Sequence, residues 1–250
     1  MNNRLSRPFF AALLVGATLT GTAYADPVKD VGEFSSFFGF TPMPGGSITG
    51  DAKTKRDAFA ANLLNQSTYG FEGTNVGFPF TSFTATGTYG EKTFDLDPDD
   101  RLLANNNPAA GRFATDGQAW AEMRSSTMTW DFSANPLHAL GFFMSDLGDF
   151  ETDIVFTLYA VDGTQKVFNI SGELNGQAPS GGLAFFGFTD STGASYNRLM
   201  VSADLRNDAF GIDGVVTGAV RGADPNPVPL PGTLALAAAA LGLMALRRRT

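Results

Sequence analysis

The chain has 250 residues and a formal net charge of −8, enough length for one domain with a substantial core. It contains no cysteine, which excludes disulfide bonds, thiol catalysis and thiolate metal sites. Its 29 Gly and 23 Phe, with only 17% charged residues, are typical of an all-β domain with many tight turns.

The first 25 residues have the three parts of a secretory signal peptide. Arg4 and Arg7 form a basic region, residues 9–19 form an apolar region, and Ala23 and Ala25 frame a small-x-small cleavage site. We therefore predict that the protein is exported and that signal peptidase cleaves it after residue 25.

The segment 26–50 is rich in Gly, Pro and Ser, and we predict an irregular lead-in there. One β-sandwich domain is predicted at 51–220, followed by a proline-rich linker at 221–231. Helical spacing of apolar residues predicts one short helix at 54–64. The stretch 95–111, rich in Asn, Asp and Pro, is the longest predicted loop.

Strand patterns dominate the second half of the body. Asp162-Gly163 lies between two of these patterns and predicts a hairpin. The stretch 154–161 is apolar on both sides, which predicts a central strand. The predicted strands cover 127–132, 154–161, 165–170, 183–188, 199–205 and 212–220. The fold prediction is an all-β, jelly-roll-like β-sandwich with one short helix.

The last 23 residues have the pattern of a membrane-sorting segment. An apolar helix is predicted at 232–246. Counted from residue 230, the stretch has about 17 residues and spans roughly 25 Å as a helix, a little less than a bilayer core. By the positive-inside rule, the basic end stays in the cytoplasm. The elements of this segment are Val228, Pro229, Leu230, Pro231 and Gly232 before the helix, and Arg247, Arg248 and Arg249 after it.

This tail resembles the PEP-CTERM sorting signal of Gram-negative bacteria, which joins a Pro-x-Pro element, an apolar helix and an Arg cluster in this order. Leu230 stands where Glu is commonest in the family. The resemblance implies recognition by exosortase, a membrane-embedded cysteine protease, with cleavage near the Pro-x-Pro element and delivery to the cell surface. Hydropathy leaves a plain membrane anchor open. In both cases the chain meets the membrane only through this helix before processing.

Removal of both ends takes away five arginines and no acid, so the formal charge of the body moves from −8 to −13. A body of this charge repels nucleic acid and anionic lipid. We therefore predict neither as a partner of the mature domain.

Two short segments each place one acid between an aromatic or aliphatic residue and Gly: 70–73 with Glu72, and 210–214 with Asp213. They resemble the first and last strands of exported jelly-roll sandwiches, including carbohydrate-binding modules, in which an early and a late acid share a structural calcium. The resemblance implies calcium at Glu72 and Asp213. The alternative is that both are turn acids that bond local backbone amides.

Two further acidic stretches were considered as calcium ligands. Asp146 and Asp149 follow an apolar strand pattern, and carboxylates at a strand end can bind this ion or act as an acid/base pair. The stretch 95–100 lacks the Gly and Glu that an EF-hand needs at its sixth and twelfth positions, which excludes that motif. A looser calcium loop stays open there, and a solvated acidic loop is favoured.

Catalytic signatures are weak. His138 is the only histidine and no Gly-x-Ser-x-Gly elbow is present, which disfavours a Ser-His-Asp triad and assigns His138 a structural role. A glycosidase needs only two carboxylates and stays open. Trp120, Trp130, Tyr69 and Tyr89 are candidates for stacking on sugar rings, with Trp130 favoured as a core residue.

These patterns together predict an exported, non-enzymatic protein of the cell surface or extracellular matrix, made alongside exopolysaccharide. A carbohydrate-binding module of the same architecture is the alternative prediction, and a glycoside hydrolase is the third. No catalytic residue is assigned, and a structural calcium is the only cofactor considered.

Overall fold

The computed structural model describes residues 34–42, 46–97, 102–106, 111–147, 153–174, 181–203, 205 and 208–221. Two helices lie within these ranges, α1 (Gly50–Ala61) and α2 (Ser171–Leu174). The strands are β1 (Phe34–Thr41), β2 (Leu63–Tyr69), β3 (Ser82–Gly87), β4 (Lys92–Leu96), β5 (Leu103–Asn105), β6 (Trp120–Met123), β7 (Thr127–Asp131), β8 (Ala139–Ser145), β9 (Ile154–Ala160), β10 (Gln165–Asn169), β11 (Leu183–Asp190), β12 (Tyr196–Ala203) and β13 (Phe210–Val220).

These strands form one antiparallel sheet that curls until its two halves face each other. One half, sheet A, has the order β1-β11-β8-β13-β2, with β6 on β13 and β5 on β6. The other half, sheet B, has the order β3-β4-β7-β12-β9-β10. A short pairing of β2 with β3, at Ser67↔Gly87 and Thr68↔Thr86, joins the halves. The all-β prediction is confirmed.

Aromatic side chains fill the space between the two halves. Phe142 and Phe186 of sheet A meet Trp130 and Phe156 of sheet B: the Trp130–Phe142 ring centroids are 4.9 Å apart, and Phe156 stacks on Phe186 at 4.1 Å. All four side chains are buried. The alternating apolar residues of the strands therefore point into one core, as strand periodicity requires.

Helix α1 covers the outer face of sheet A. Its buried residues, Ala52 and Phe59, pack with residues of β8 and β11 in a second, smaller core. The helix needs close approach: a Cβ at Gly141 would lie 3.1 Å from the Phe59 ring and 2.7 Å from that of Phe185. Two glycines, Gly141 and Gly187, thus make room for Phe59 on this face.

The two free edges of the curled sheet, β1 and β10, lie side by side. The Phe34 and Phe168 rings stack with centroids 5.8 Å apart, and the Lys166 ammonium lies 4.2 Å from the centroid of Phe34. These side-chain contacts hold the seam together. Backbone pairing does not, since β1 and β10 are not paired in the described sheet.

At the far end of β13 the chain is fastened to the end of α1. The Arg221 backbone N–H donates to the Asn62 carbonyl at 2.8 Å, and its Nε donates to the Ala61 carbonyl at 2.9 Å. The described chain therefore ends beside the C-terminus of α1.

Several sequence predictions need correction. The lead-in at 26–50 is not irregular throughout, because 34–41 form β1, so the folded domain begins before residue 51. The helix spans Gly50–Ala61 and not 54–64, because Leu63 and Leu64 belong to β2. The predicted loop 95–111 contains the end of β4 and all of β5.

Strands β7 to β13 otherwise match the predicted patterns. The Asp162-Gly163 hairpin is present, with Gly163 at φ +88° and its N–H donating to the Ala160 carbonyl at 3.0 Å. Strand β9, predicted to be central, is next to the edge strand β10, and its Val155 and Tyr159 are only half-buried.

Candidate functional site

The outer faces of the two halves differ in how they are covered. On sheet A, α1 packs against β1, β8 and β11. On sheet B, the outward positions of β12 and β7 are exposed or half-buried, while the intervening positions are buried. The outer face of sheet B is therefore the broad sheet surface that solvent reaches.

One cross-strand row crosses all six strands of this face, and we call it the polar row. At about 4.8 Å between neighbouring strands, its five spacings extend roughly 24 Å. Such a length suits several units of a polymer and exceeds what one small molecule would use. In order from β10 to β3, the polar row consists of Gln165, Tyr159, Arg198, Asp131, Asp95 and Ser82.

The centre of the polar row is a stacked pair. The Arg198 guanidinium carbon lies 3.9 Å from the centroid of the Tyr159 ring, the geometry of a cation–π interaction. Arg198 is exposed and Tyr159 is half-buried. A guanidinium carries five N–H donors in one plane, so the pair presents oriented donors beside an aromatic ring.

Carboxylates form the other half of the polar row. Asp131 and Asp95 are directly opposite each other across β7 and β4, a like-charge placement that costs stability. Asp131 Oδ1 accepts the Ser133 backbone N–H at 2.8 Å, which orients its carboxylate. The row thus offers donors at one end and acceptors at the other.

Short hydroxyl side chains surround the polar row. Thr157 and Thr129 flank Met200 in the next row, and Thr84 and Thr93 share a hydrogen bond of 3.0 Å on β3 and β4. These short, polar side chains lie around the Tyr159–Arg198 stack.

The two acids predicted to share calcium both hold one segment, 115–119. Asp213 Oδ2 accepts the backbone N–H of Thr115 at 2.6 Å and that of Asp116 at 2.8 Å. Glu72 Oε1 accepts the N–H of Ala119 at 2.7 Å and that of Gln118 at 2.5 Å. These four amides are remote in sequence from the acids, and the Asp213 carboxyl is also bonded by the neighbouring Gly214 amide, as the predicted alternative of a local backbone bond requires.

These contacts have opposite effects on the two carboxyls. The hydrogen bonds from Ala119 and Gln118 lower the pKa of Glu72, which is exposed. Burial raises the pKa of Asp213 to about 7, although the amides of Asp116 and Thr115 favour its charged form. Asp213 is 1% exposed, and its Oδ1 has no hydrogen-bond partner.

Calcium prefers carboxylate and carbonyl oxygens, so the buried and unengaged Oδ1 of Asp213 fits this ion. Within the described residues no group of three or more His, Cys, Asp or Glu could hold a metal. Glu72 also lies after β2, not on the first strand, because β1 precedes it. Calcium shared by Glu72 and Asp213 stays a prediction.

Asp146 has a cationic partner in the protein itself. The Arg112 guanidinium lies 3.4 Å from Asp146 Oδ2, 3.9 Å from Glu122 Oε1 and 3.5 Å from Asp208 Oδ1. It also donates to the Ala209 carbonyl at 2.9 Å. A calcium ion at Asp146 would have to lie beside this positive charge. Asp149, its predicted companion, is outside the described residues.

Glu122, which the sequence did not single out, is 3% exposed. Burial opposes its ionisation, yet hydrogen bonds from Arg124 at 2.9 Å and Asn105 at 3.0 Å lower the pKa of this carboxyl. Glu122 and Asp146 are thus buried structural acids: Glu122 pairs with Arg112 and Arg124, and Asp146 pairs with Arg112.

The predicted targeting residues lie outside the described part of the chain. They are Ala23 and Ala25 of the cleavage site, Val228, Pro229, Leu230, Pro231 and Gly232, and Arg247, Arg248 and Arg249. In the described part, neither helix has the length and hydrophobicity needed to cross a bilayer.

Two of the four aromatic residues proposed for stacking are buried. Trp120 and Trp130 are 1% and 0% exposed, which removes both from the surface. Tyr69 stacks on Phe83 and bonds Thr74. Tyr89, half-buried, carries the Lys92 ammonium 4.5 Å from its ring centroid. Tyr159, which the sequence presented only as part of a strand pattern, is the aromatic residue on the open face.

His138 has the structural role expected of it. Its Nδ1 lies 2.8 Å from the Ala194 carbonyl, and its own carbonyl accepts the Asp190 N–H at 2.8 Å. Asp190 in turn accepts the Tyr196 hydroxyl at 2.7 Å. These contacts fasten the β11–β12 turn.

Comparison with known proteins finds partial structural similarity only. No family model and no curated protein matches the chain. A CBM22-1 xylan-binding domain from Paenibacillus barcinonensis Xyn10C is 10% identical over 61% of this chain and 94% of its own, with a TM-score of 0.35.

A CBM61 module in complex with β-1,4-galactotriose is 11% identical over 60% of this chain and 94% of its own, with a TM-score of 0.29. The catalytic domain of a GH87 α-1,3-glucanase is 17% identical over 66% of this chain and 30% of its own, with a TM-score of 0.33. At these TM-scores the folds coincide only in part, and function has to be inferred from the chain's own residues.

Proposed function

We propose that this chain is an exported, non-enzymatic protein with a jelly-roll-like β-sandwich that binds carbohydrate through the outer face of sheet B. The observation that carries the proposal is the Tyr159–Arg198 stack at the centre of an uncovered cross-strand row. Carbohydrate binding, which was the alternative function predicted from the sequence, thus becomes the main proposed function.

The chemistry of the polar row suits a sugar polymer. A sugar ring has an apolar C–H surface that packs on an aromatic ring, and hydroxyls that bond to carboxylates and guanidinium groups. Tyr159 supplies the first kind of contact, and Arg198, Asp131 and Asp95 supply the second. An exopolysaccharide is the partner that fits a row of this length.

The bonding partners of the buried acids support binding without hydrolysis. Glu122 and Asp146 pair with Arg112, and Asp213 is bonded by the amides of segment 115–119. The carboxylates that a polymer on sheet B would meet lie on a flat, open face.

Binding is tested by affinity electrophoresis or a glycan array with Tyr159→Ala and Arg198→Ala. Loss of one stacked contact worth about 1.4 kcal/mol weakens binding roughly tenfold. Tyr89→Ala is the matched control, because Tyr89 also carries a cation on its ring but lies off the polar row. Unchanged binding by both polar-row variants would contradict the proposal, and release of reducing ends would identify a glycosidase instead.

Surface location rests on the two ends of the sequence. We infer that exosortase removes the tail near Pro229 and Pro231, so that the mature protein lacks everything after roughly residue 232. Mass spectrometry of the native protein at the cell surface measures this directly. Recovery of an intact C-terminus at Thr250 would leave a plain membrane anchor.

A further inference from the structure

The carboxylates on the open face of sheet B lie close to one another. Asp131 and Asp95 are directly opposite each other on β7 and β4, and residues in such positions have Cβ atoms about 4.5–5.5 Å apart. Asp97 is the next outward residue after Asp95 and is exposed. Its N–H donates to the Thr129 carbonyl at 3.4 Å, which keeps it alongside β7. Three carboxylates therefore share one part of this face.

Within the described part of the chain, no lysine or arginine forms an ion pair with Asp131 or Asp95. Arg198 is directly opposite Asp131, but its guanidinium lies over the Tyr159 ring on the other side, 3.9 Å from the ring centroid. The polar row thus carries one positive and two negative charges. The repulsion between the two carboxylates is uncompensated by the protein, so a positively charged ligand would relieve it.

The charge of the whole body points to the same class of ligand. The formal charge of −8, less the five terminal arginines, gives −13 for the body. A uronic acid polymer would be repelled by this field and by the carboxylates of the row. A neutral polymer offers hydroxyls that donate to carboxylates but leaves their repulsion unchanged. A protonated amine does both, because it has three N–H donors and a full positive charge.

We propose that the polymer bound by the polar row is an amino-sugar polysaccharide with free, protonated amines, which Asp131 and Asp95 hold. This proposal rests on carbohydrate binding by the same row and names the class of polymer. A sugar ring of the chain packs on Tyr159, and the Arg198 guanidinium donates to hydroxyl oxygens of the unit between the ring and the amines. Because the ion pairs are exposed, they add selectivity more than affinity.

The spacing of the row suits such a chain. Neighbouring strands are about 4.8 Å apart, close to the length of one unit in an extended sugar chain, so successive units can lie on successive strands. Asp131 and Asp95 are on adjacent strands, and Tyr159 is two strands away from Asp131. One chain that crosses the strands therefore reaches the aromatic ring and both carboxylates at once.

Two forms of one ligand test the class of polymer: a β-1,4-linked glucosamine oligomer and the same oligomer after N-acetylation. The two share backbone and length and differ in the charge of the amine. In calorimetric titrations the wild type should bind the free-amine form roughly tenfold more tightly, as two exposed ion pairs allow. Added salt, or a pH at which the amines lose their protons, should remove this preference and hardly change binding of the acetylated form.

Asp131→Asn and Asp95→Asn locate the preference on the row. Each substitution keeps the shape of the side chain and removes one charge, and an amide oxygen at 131 can still accept the Ser133 N–H. Each should reduce the preference for the free-amine form to about threefold and leave binding of the acetylated form within about twofold. The matched control is Asp51→Asn, which removes the same charge from an exposed residue of α1, on the opposite side of the domain, and should keep the tenfold preference.

The outcomes separate this proposal from carbohydrate binding itself. Equal or tighter binding of the acetylated oligomer, or of a uronic acid polymer, would overturn the amino-sugar class, and a loss of that binding in Tyr159→Ala would leave carbohydrate binding in place. An equal loss of preference in Asp51→Asn and Asp131→Asn would also overturn it, since only net charge would then matter. If no glycan binds in a way that depends on Tyr159, both proposals are wrong.

Discussion

The two outer faces of the curled sheet put their charged residues to different uses. Above sheet A, the segment 111–119 contacts Glu122, Asp146 and Asp213, and each of these buried acids is bonded to an arginine or to backbone amides. On sheet B, Arg198, Asp131 and Asp95 face solvent in one row. Acids on the first face hold the fold together, and those on the second are available to a partner.

Removal of the Phe59 side chain should produce the largest effect, because this residue holds α1 on sheet A. Phe59 is fully buried and contacts the rings of Phe37 and Phe185. Phe59→Ala should reduce the free energy of unfolding by about 3–5 kcal/mol, measured by urea denaturation. A loss below 1 kcal/mol would mean that α1 is not needed to close this face.

Arg112→Met should cost about 3 kcal/mol, because it leaves Glu122 and Asp146 buried with less compensating charge. The matched control is Lys53→Met, which removes an exposed ion pair with Asp57 and should barely change the free energy of unfolding. Equal losses in the two variants would show that the acids of the covered face do not depend on Arg112.

If Asp213 Oδ1 and Glu72 share a calcium ion, calcium should raise the melting temperature. At a hundredfold excess over Kd, the gain is about 2.7 kcal/mol. Asp213→Ala should abolish the response, and Asp97→Ala on the sheet B side should keep it. A melting temperature that neither calcium nor chelator changes would contradict the site. Loss of the response in Asp97→Ala alone would place the ion in the stretch 95–100 instead.

With chelator present, Asp213 should also make stability depend on pH. Its folded pKa of about 7 lies above the ordinary 3.8, so the folded state holds the proton more tightly. The contribution is complete below about pH 4 and is lost as pH rises through 7, on the order of 2 kcal/mol. Asp213→Asn should remove this slope in thermal melts at pH 4 to 8. A parallel pH dependence in both proteins would show that Asp213 does not titrate there.

Tyr159→Ala should change the free energy of unfolding least, by less than about 1 kcal/mol, because the residue is half-buried on the open face. Chemical denaturation beside Phe59→Ala measures the contrast directly. A loss similar to that of Phe59→Ala would make the Tyr159–Arg198 stack part of the fold, and not a binding surface.

Sequence patterns predicted the late strands well, since apolar and polar residues alternate there with the period of two that strands impose. They missed β1, whose Phe residues are interrupted by Ser and Gly, and they carried the helix too far because Leu63 and Leu64 continue its spacing. Local pattern does not show where a helix gives way to a strand when both use the same apolar residues.

The candidate site was harder to predict for a different reason. Tyr159 and Arg198 are far apart in sequence and meet only through the β9–β12 register, which no local pattern specifies. The acids Glu72 and Asp213 were recognised, but their partners are backbone amides, which have no sequence signature. The role of Arg112 could not be predicted from the sequence either, because its three acidic partners come from separate segments.

The junction at Arg221 also determines how the domain carries mechanical load. A pull on the chain beyond this residue acts along β13, which is bonded to β8 on one side and to β2 and β6 on the other. Antiparallel ladder bonds lie perpendicular to the strand, so such a force shears many of them at once and does not open them one by one. The described chain thus ends on its most extensively paired strand, a geometry that resists being drawn out under tension.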